Sequence, residues 1–175
     1  CKTPKGAVVN PPEIPLAICA RRVGKVYPRR GRRGDARAVL RDIDLDICRD
    51  ERVGLLGPSG SGKTTLVGML TGRVRPSMGR IWIDGLDLQY HHAHIHARIG
   101  VCPQEDLLWP DLSAREHLMF YGNLKTSIPP GALLPAVQAS LETVHLSAVD
   151  RRPTRALSGG MRRRLSLAIA LLGSP

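Results

Sequence analysis

The chain has 175 residues, 42% of them apolar and 23% charged, and its 26 Lys and Arg outnumber 15 Asp and Glu to give a net charge of +11. These are ordinary globular proportions for about one domain, and they exclude a collagen-like, coiled-coil or wholly disordered chain. No apolar run reaches the ~18 to 20 residues needed to cross a bilayer, the best being residues 165–172 with a serine inside it.

Residues 1–16 are set apart as an extension or linker. A strand is predicted from Ala17 to Tyr27, and the Arg/Gly-rich segment from Pro28 to Asp35 has the composition of an exposed loop. From Val39 to Ile47 apolar and polar residues alternate, the pattern of a half-buried strand. Arg52 to Leu56 is a short apolar run that stops at a glycine-rich loop, after which Thr64 to Leu70 reads as a helix closed by Gly72. A turn over 75–79, a strand from Ile81 to Ile83, a turn at Asp84 and Gly85, a helix from Leu88 to Ala97 and a strand from Ile99 to Cys102 follow. Ser113 and Glu116 match a capping box, in which each side chain satisfies a free N–H at the start of a helix running to Leu124. Pro129, Pro130 and Gly131 break that helix, and two further helices are predicted over 134–144 and 160–172.

The positive charge falls in two clusters. Residues 21–41 hold nine Lys or Arg against one Asp, residues 151–164 hold six Arg and no acid, and the rest of the chain is slightly acidic. Solvated surface turns are the simplest reading. Anionic lipid head groups are an alternative, and nucleic acid a weaker one, since no aromatic residues interleave with the arginines as stacking platforms. Cys1, Cys19, Cys48 and Cys102 form no C-x-x-C pair and are read as reduced, buried thiols. The first residue is not Met and the last stands just after a helix pattern, so both ends look cut, and the lack of a signal peptide decides nothing.

Gly57, Pro58, Ser59, Gly60, Ser61, Gly62, Lys63 and Thr64 fit the P-loop pattern G-x-x-x-x-G-K-[ST], in the strand, loop, helix context that a phosphate site requires. Glycines let successive N–H groups turn toward phosphate oxygens, and the helix start adds its dipole. Lys63 would place a point charge at the β and γ phosphates, and the Thr64 hydroxyl would bind Mg2+. Leu157, Ser158, Gly159, Gly160 and Met161 then put a hydroxyl and bare backbone N–H groups at a second helix start, another anion-binding arrangement or simply an N-cap with a turn.

The order of the P-loop, Gln104 in Gly100-Val101-Cys102-Pro103-Gln104, and Leu157-Ser158-Gly159-Gly160-Met161 resembles the nucleotide-binding domain of an ABC transporter, over nearly the whole chain from Ala17. Met161, together with the runs Val101 to Asp106, Arg115 to Gly122 and Leu165 to Gly173, resembles the A subfamily, known mainly as lipid transporters. The resemblance implies an α/β P-loop NTPase fold: a mainly parallel sheet, an antiparallel β edge, a helical lobe over 113–156 and the signature at 157–161. It implies ATP and Mg2+ as ligands, held by Gly57 to Thr64 with Thr65. It further implies adenine stacking on Tyr27, Mg2+ on Thr64 and Gln104, Lys63 and Gln104 as catalytic groups, and contact of Leu157 to Gly160 with the γ-phosphate on the opposite domain of a head-to-tail dimer. Expected partners are that second nucleotide-binding domain and the transmembrane domains of the same transporter, with this chain at the cytosolic face of a membrane; no nucleic acid is expected. The family's Walker B strand, catalytic Glu and switch His would follow the signature helix, so the domain is read as incomplete after Pro175, and neither Glu105 nor Asp106 stands in for the base. A soluble ABC-type ATPase acting on nucleic acid and a catalytically inactive regulatory module stay open as rivals. Ser59 stands where the A subfamily commonly has Asn, and the segment 28–37 is long for its place. His91, His92, His94 and His96 lack a nearby Cys or carboxylate partner and are read as a solvated helix surface rather than a metal site. Trp82, Trp109, Phe120 and Tyr121 are read as core or partner contacts.

Overall fold

A computed structural model describes residues 16–28, 36–125, 128–173 and 175, in two compact units, Cys1–Ile95 and His96–Pro175. The first unit is built on strands β1 (Leu16–Pro28), β2 (Ala36–Cys48), β3 (Met78–Ile83) and β4 (Leu86–Asp87), in the order β2, β1, β3, β4, every neighbouring pair antiparallel. Cys19 stands opposite Trp82 and Ala20 opposite Ile81; these adjacent pairs point to opposite faces, and burial of all four shows that the sheet is covered on both faces here. β1 is bulged near Arg22 (φ +47), whose N–H donates to the Asp44 carboxylate at 2.7 Å. Gly79 packs into this bulge at φ +77, where a Cβ would lie 2.3 Å from the Arg22 carbonyl oxygen. Helix α1 (Lys63–Leu70) buries Leu66 and Met69.

The antiparallel edge is therefore formed as expected, with β1, β2 and β3 each extending beyond the ends of their sequence patterns. The strands expected at 52–56 and 99–102 are not formed among the described residues, and Leu56 is 94% exposed. An apolar run of this kind becomes a strand only when neighbours supply ladder partners on its edges, and no described residue pairs with it. The helix expected from Leu88 to Ala97 shortens to α2 (His92–His96). Asp87 explains the late start: its carboxylate accepts the Gln89 N–H at 2.8 Å and its carbonyl the N–H groups of Tyr90 and His91, so residues 87–91 are held as a turn.

The second unit packs α3 (Ala114–Leu124), α4 (Leu133–Thr143) and α5 (Gly159–Leu171) around Leu118, Val137, Leu141, Leu146, Leu165 and Leu172. The capping box is present in full, with Ser113 Oγ accepting the Glu116 N–H and the Glu116 carboxylate accepting the Ser113 N–H at 2.8 Å. These hydrogen bonds hold the Glu116 carboxyl below its ordinary pKa, the Ser113 backbone N–H making the largest contribution and its hydroxyl the next. Lys125 closes the far end of α5 by donating to the carbonyls of Ala170 and, at 2.5 Å, Leu172, and burial pulls its pKa down.

No described helix is long and apolar enough to cross a membrane. Cys19, Cys48 and Cys102 are free thiols, but only Cys19 is buried; Cys48 is exposed at the end of its strand and Cys102 half-buried. The extension at 1–15, Cys1 within it, and residues 29–35 of the Arg-rich segment lie outside the described residues.

Candidate functional site

In the first unit the loop over 57–62 turns at Gly60 (φ +80) and enters α1 through Gly62 (φ +97). A Cβ at Gly62 would sit 2.9 Å from Leu40 Cδ2, so glycine serves here both the left-handed backbone and the close approach to β2. No side chain caps α1 at this residue. The first-turn N–H groups, which have no intrahelical acceptor, are therefore directed into the loop with the positive end of the helix dipole behind them. Lys63 folds back over the loop, its Nζ donating to the carbonyls of Gly57 at 2.7 Å and Pro58 at 2.8 Å, while the Ser61 N–H donates to Pro58 O at 3.3 Å. An ammonium has three donors, so one remains for an incoming anion. Pro58, Ser59, Gly60, Ser61 and Thr64 are exposed, whereas Lys63 and Thr65 are half-buried.

Tyr27 belongs to the same unit. It lies near the end of β1, 39% exposed, with the Lys25 ammonium 5.1 Å from its ring centroid. Lys25 stands opposite Leu40, the residue that Gly62 touches, so the P-loop and the exposed Tyr27 are joined through β2.

In the second unit Gln104 is exposed and held beside α5. Arg163 donates to the carbonyls of Pro103 and Gln104, and Asp106 accepts from Ser166 Oγ at 2.8 Å while lying 3.6 Å from Arg163. Ser158 is the N-cap of α5, its Oγ accepting the Met161 N–H at 3.3 Å. Gly159 and Gly160 are exposed, and a Cβ at Gly160 would meet nothing within 4 Å. Leu157 is buried, so its side chain anchors the loop rather than facing a ligand. The P-loop and Tyr27 thus come together in one unit, Gln104 and residues 157–160 in the other.

Sequence reasoning missed the clamp of Asp106, Arg163 and Ser166, and it missed His117. The His117 ring is fully buried, one nitrogen 2.8 Å from the Ser113 carbonyl and the other accepting the Trp109 N–H at 2.9 Å, with Trp109 stacked on it at 5.5 Å. These bonds fix it as neutral with the proton on Nδ1. His91, His92, His94 and His96 are all exposed around the buried Ile95, and no three metal-capable side chains gather among the described residues.

A family model described as ABC transporter matches residues 40–175. ABC transporter A family member 10 of Arabidopsis thaliana is 44% identical over 162 residues, covering 91% of this chain and 18% of that protein. Member 3 of the same family and plant is also 44% identical, over 91% of the chain and 17% of its own length. The chain thus spans less than a fifth of the length of these relatives. Among solved structures, cbiO1 of Clostridium perfringens, part of the ABC transporter complex cbiONQ, superposes with a TM-score of 0.79 at 24% identity, over 93% of this chain and 63% of that one. The ATP-binding cassette MJ0796, solved as a dimer in a post-hydrolysis state bound to ADP and Pi, gives a TM-score of 0.76 at 25% identity, over 90% and 70%.

Proposed function

The chain belongs to the ABC transporter family, and we propose that it is the part that binds ATP with Mg2+ and couples this to transport across a membrane. The observation that carries the reading is the P-loop cradle: a helix start with no side-chain cap, glycines in left-handed conformation, and Lys63 folded over the loop. Gly57 to Thr65 would hold the phosphates, Thr64 and Gln104 the Mg2+, and the exposed ring of Tyr27 the adenine. Bound Mg2+ would supply charge neutralisation at the phosphates. Lys63 would add its remaining N–H to a phosphate oxygen, and Gln104, steadied by Arg163 and Asp106, would orient a water or the metal. The Ser158 hydroxyl and the N–H groups of Gly159 and Gly160 would reach the γ-phosphate on a second nucleotide-binding domain, an arrangement favoured by their exposure and by the dimeric cassette MJ0796. Hydrolysis would further require a general base. Lipids would be the transported class, on the resemblance of Met161 and the runs Val101 to Asp106, Arg115 to Gly122 and Leu165 to Gly173 to the A subfamily.

Titration calorimetry with ATP, ADP and AMP tests this. Affinity should rise with the number of phosphates and AMP should bind at least about tenfold more weakly than ATP; equal affinity for ATP and AMP would contradict a phosphate-led site.

A further inference from the structure

The first unit contains a cavity of about 370 Å³ that the P-loop function leaves unused. It lies between the loop that follows α1 and the β3 to α2 segment, within the volume range of small-molecule sites. Its wall includes the apolar side chains of Val74, Pro76 and Leu88. Two arginines, Arg75 and Arg80, line it as well. Arg75 is exposed and makes no side-chain hydrogen bond or ion pair among the described residues. Arg80 is only loosely neutralised, its Nη1 3.6 Å from Asp87 Oδ2, beyond hydrogen-bond length, so its donors stay available. Asp87 is the one carboxylate in the lining, and its other oxygen is occupied by the Gln89 N–H, which leaves the cavity net positive. Tyr90 also lines the cavity and is 65% exposed.

The walls are held rather than loose. Val74 N–H donates to the Gly68 carbonyl at 2.8 Å, Lys25 Nζ to the Arg75 carbonyl at 2.6 Å, and Ser77 N–H to the Gly24 carbonyl at 2.9 Å, so the 72–78 loop is fastened to both α1 and β1. A preorganised cavity with an apolar wall, an exposed aromatic ring and two guanidinium groups has the chemistry to recognise a flat apolar body that carries an anionic group. We propose that this cavity is a second ligand site, for a small aromatic phosphate or carboxylate, separate from the P-loop. The anion bridges Arg75 and Arg80, and the ring packs between Tyr90 and the Val74 and Leu88 wall.

The probe is phenyl phosphate, titrated into the full chain by calorimetry, with inorganic phosphate and phenol as the separated halves. Phenyl phosphate should bind the parent chain and Lys63→Ala equally, and at least about tenfold more weakly to Arg75→Ala and Arg80→Ala, the loss expected for a charge-assisted hydrogen bond. Tyr90→Ala, at an exposed position that the fold does not depend on, should also weaken it. Each half alone should bind at least about tenfold more weakly than the whole. Loss of binding in Lys63→Ala would assign the probe to the P-loop and overturn the second site, as would undiminished binding in all three cavity variants, binding of inorganic phosphate equal to that of phenyl phosphate, or no binding at all. Because Lys63→Ala is read with both ATP and phenyl phosphate, failure of the second site and failure of the ATP reading are told apart.

Discussion

Lys63 and His117 show two ways in which a single side chain fixes a segment. Lys63 has its motif around it in sequence, and its partners, the carbonyls of Gly57 and Pro58, lie within six residues. His117 joins the Ser113 carbonyl to the Trp109 N–H, so the chain entering α3 is bonded to the helix through an imidazole with no exposure to water. Replacing it with Ala would leave the Trp109 N–H without its acceptor and remove a ring stacked on the indole. His117→Ala should therefore cost about 3 kcal/mol in denaturant unfolding, measured from the midpoint at constant slope; a loss below about 0.5 kcal/mol would mean that the ring is not part of the structural framework. Nothing local in the sequence marks His117, because a buried neutral histidine is defined by what faces both of its nitrogens. Lys63 was legible because the P-loop pattern sets residue types and spacing within eight consecutive residues.

At the scale of elements, the helices of the second unit were legible, whereas two expected strands are not formed among the described residues and one helix starts late. Ser113 and Glu116 announce the start of α3 because a capping box is complete within four residues. Ser113→Ala should lower stability by about 1 kcal/mol. The Glu116 carboxyl titrates below its ordinary value in the folded chain, so its contribution is fully present above the unfolded carboxyl pKa of about 4.3 and is lost as pH falls through the lower folded value. Glu116→Gln should accordingly make the acid side of a stability profile shallower between about pH 4.5 and the folded pKa; an unchanged profile would remove the capping carboxylate from the account. The runs at 52–56 and 99–102 have strand composition, yet a strand is a property of its neighbours as much as of itself, and no described residue offers them a ladder. The late start of α2 depends on Asp87 drawing the following N–H groups into a turn, which hydrophobic spacing does not report.

At the scale of the molecule, the basic charge of residues 151–164 takes on a different meaning once partners are visible. Arg155 pairs with Asp111, Arg162 donates to the Leu157 carbonyl, Arg163 holds the Gln104 segment and Arg164 caps carbonyls at Val144 and His145. Four of the six arginines are thus engaged in bracing the second unit. Composition counts the charges but not their acceptors, and Asp106 lies 57 residues from Arg163 in the chain. Arg163→Ala should lower stability by about 1 kcal/mol, a modest value because the guanidinium is partly solvated. It should leave the salt dependence of any non-specific DNA binding unchanged; a slope shallower by about 0.9 would instead make Arg163 a phosphate contact.

The central claim is that the loop over 57–64 holds the phosphates of ATP, and the affinity of Lys63→Ala for ATP with Mg2+ tests it most directly. Removing one charge-assisted hydrogen bond to phosphate should weaken binding about 10- to 100-fold with little change in thermal stability. An affinity equal to that of the parent chain would place the nucleotide elsewhere and contradict the account.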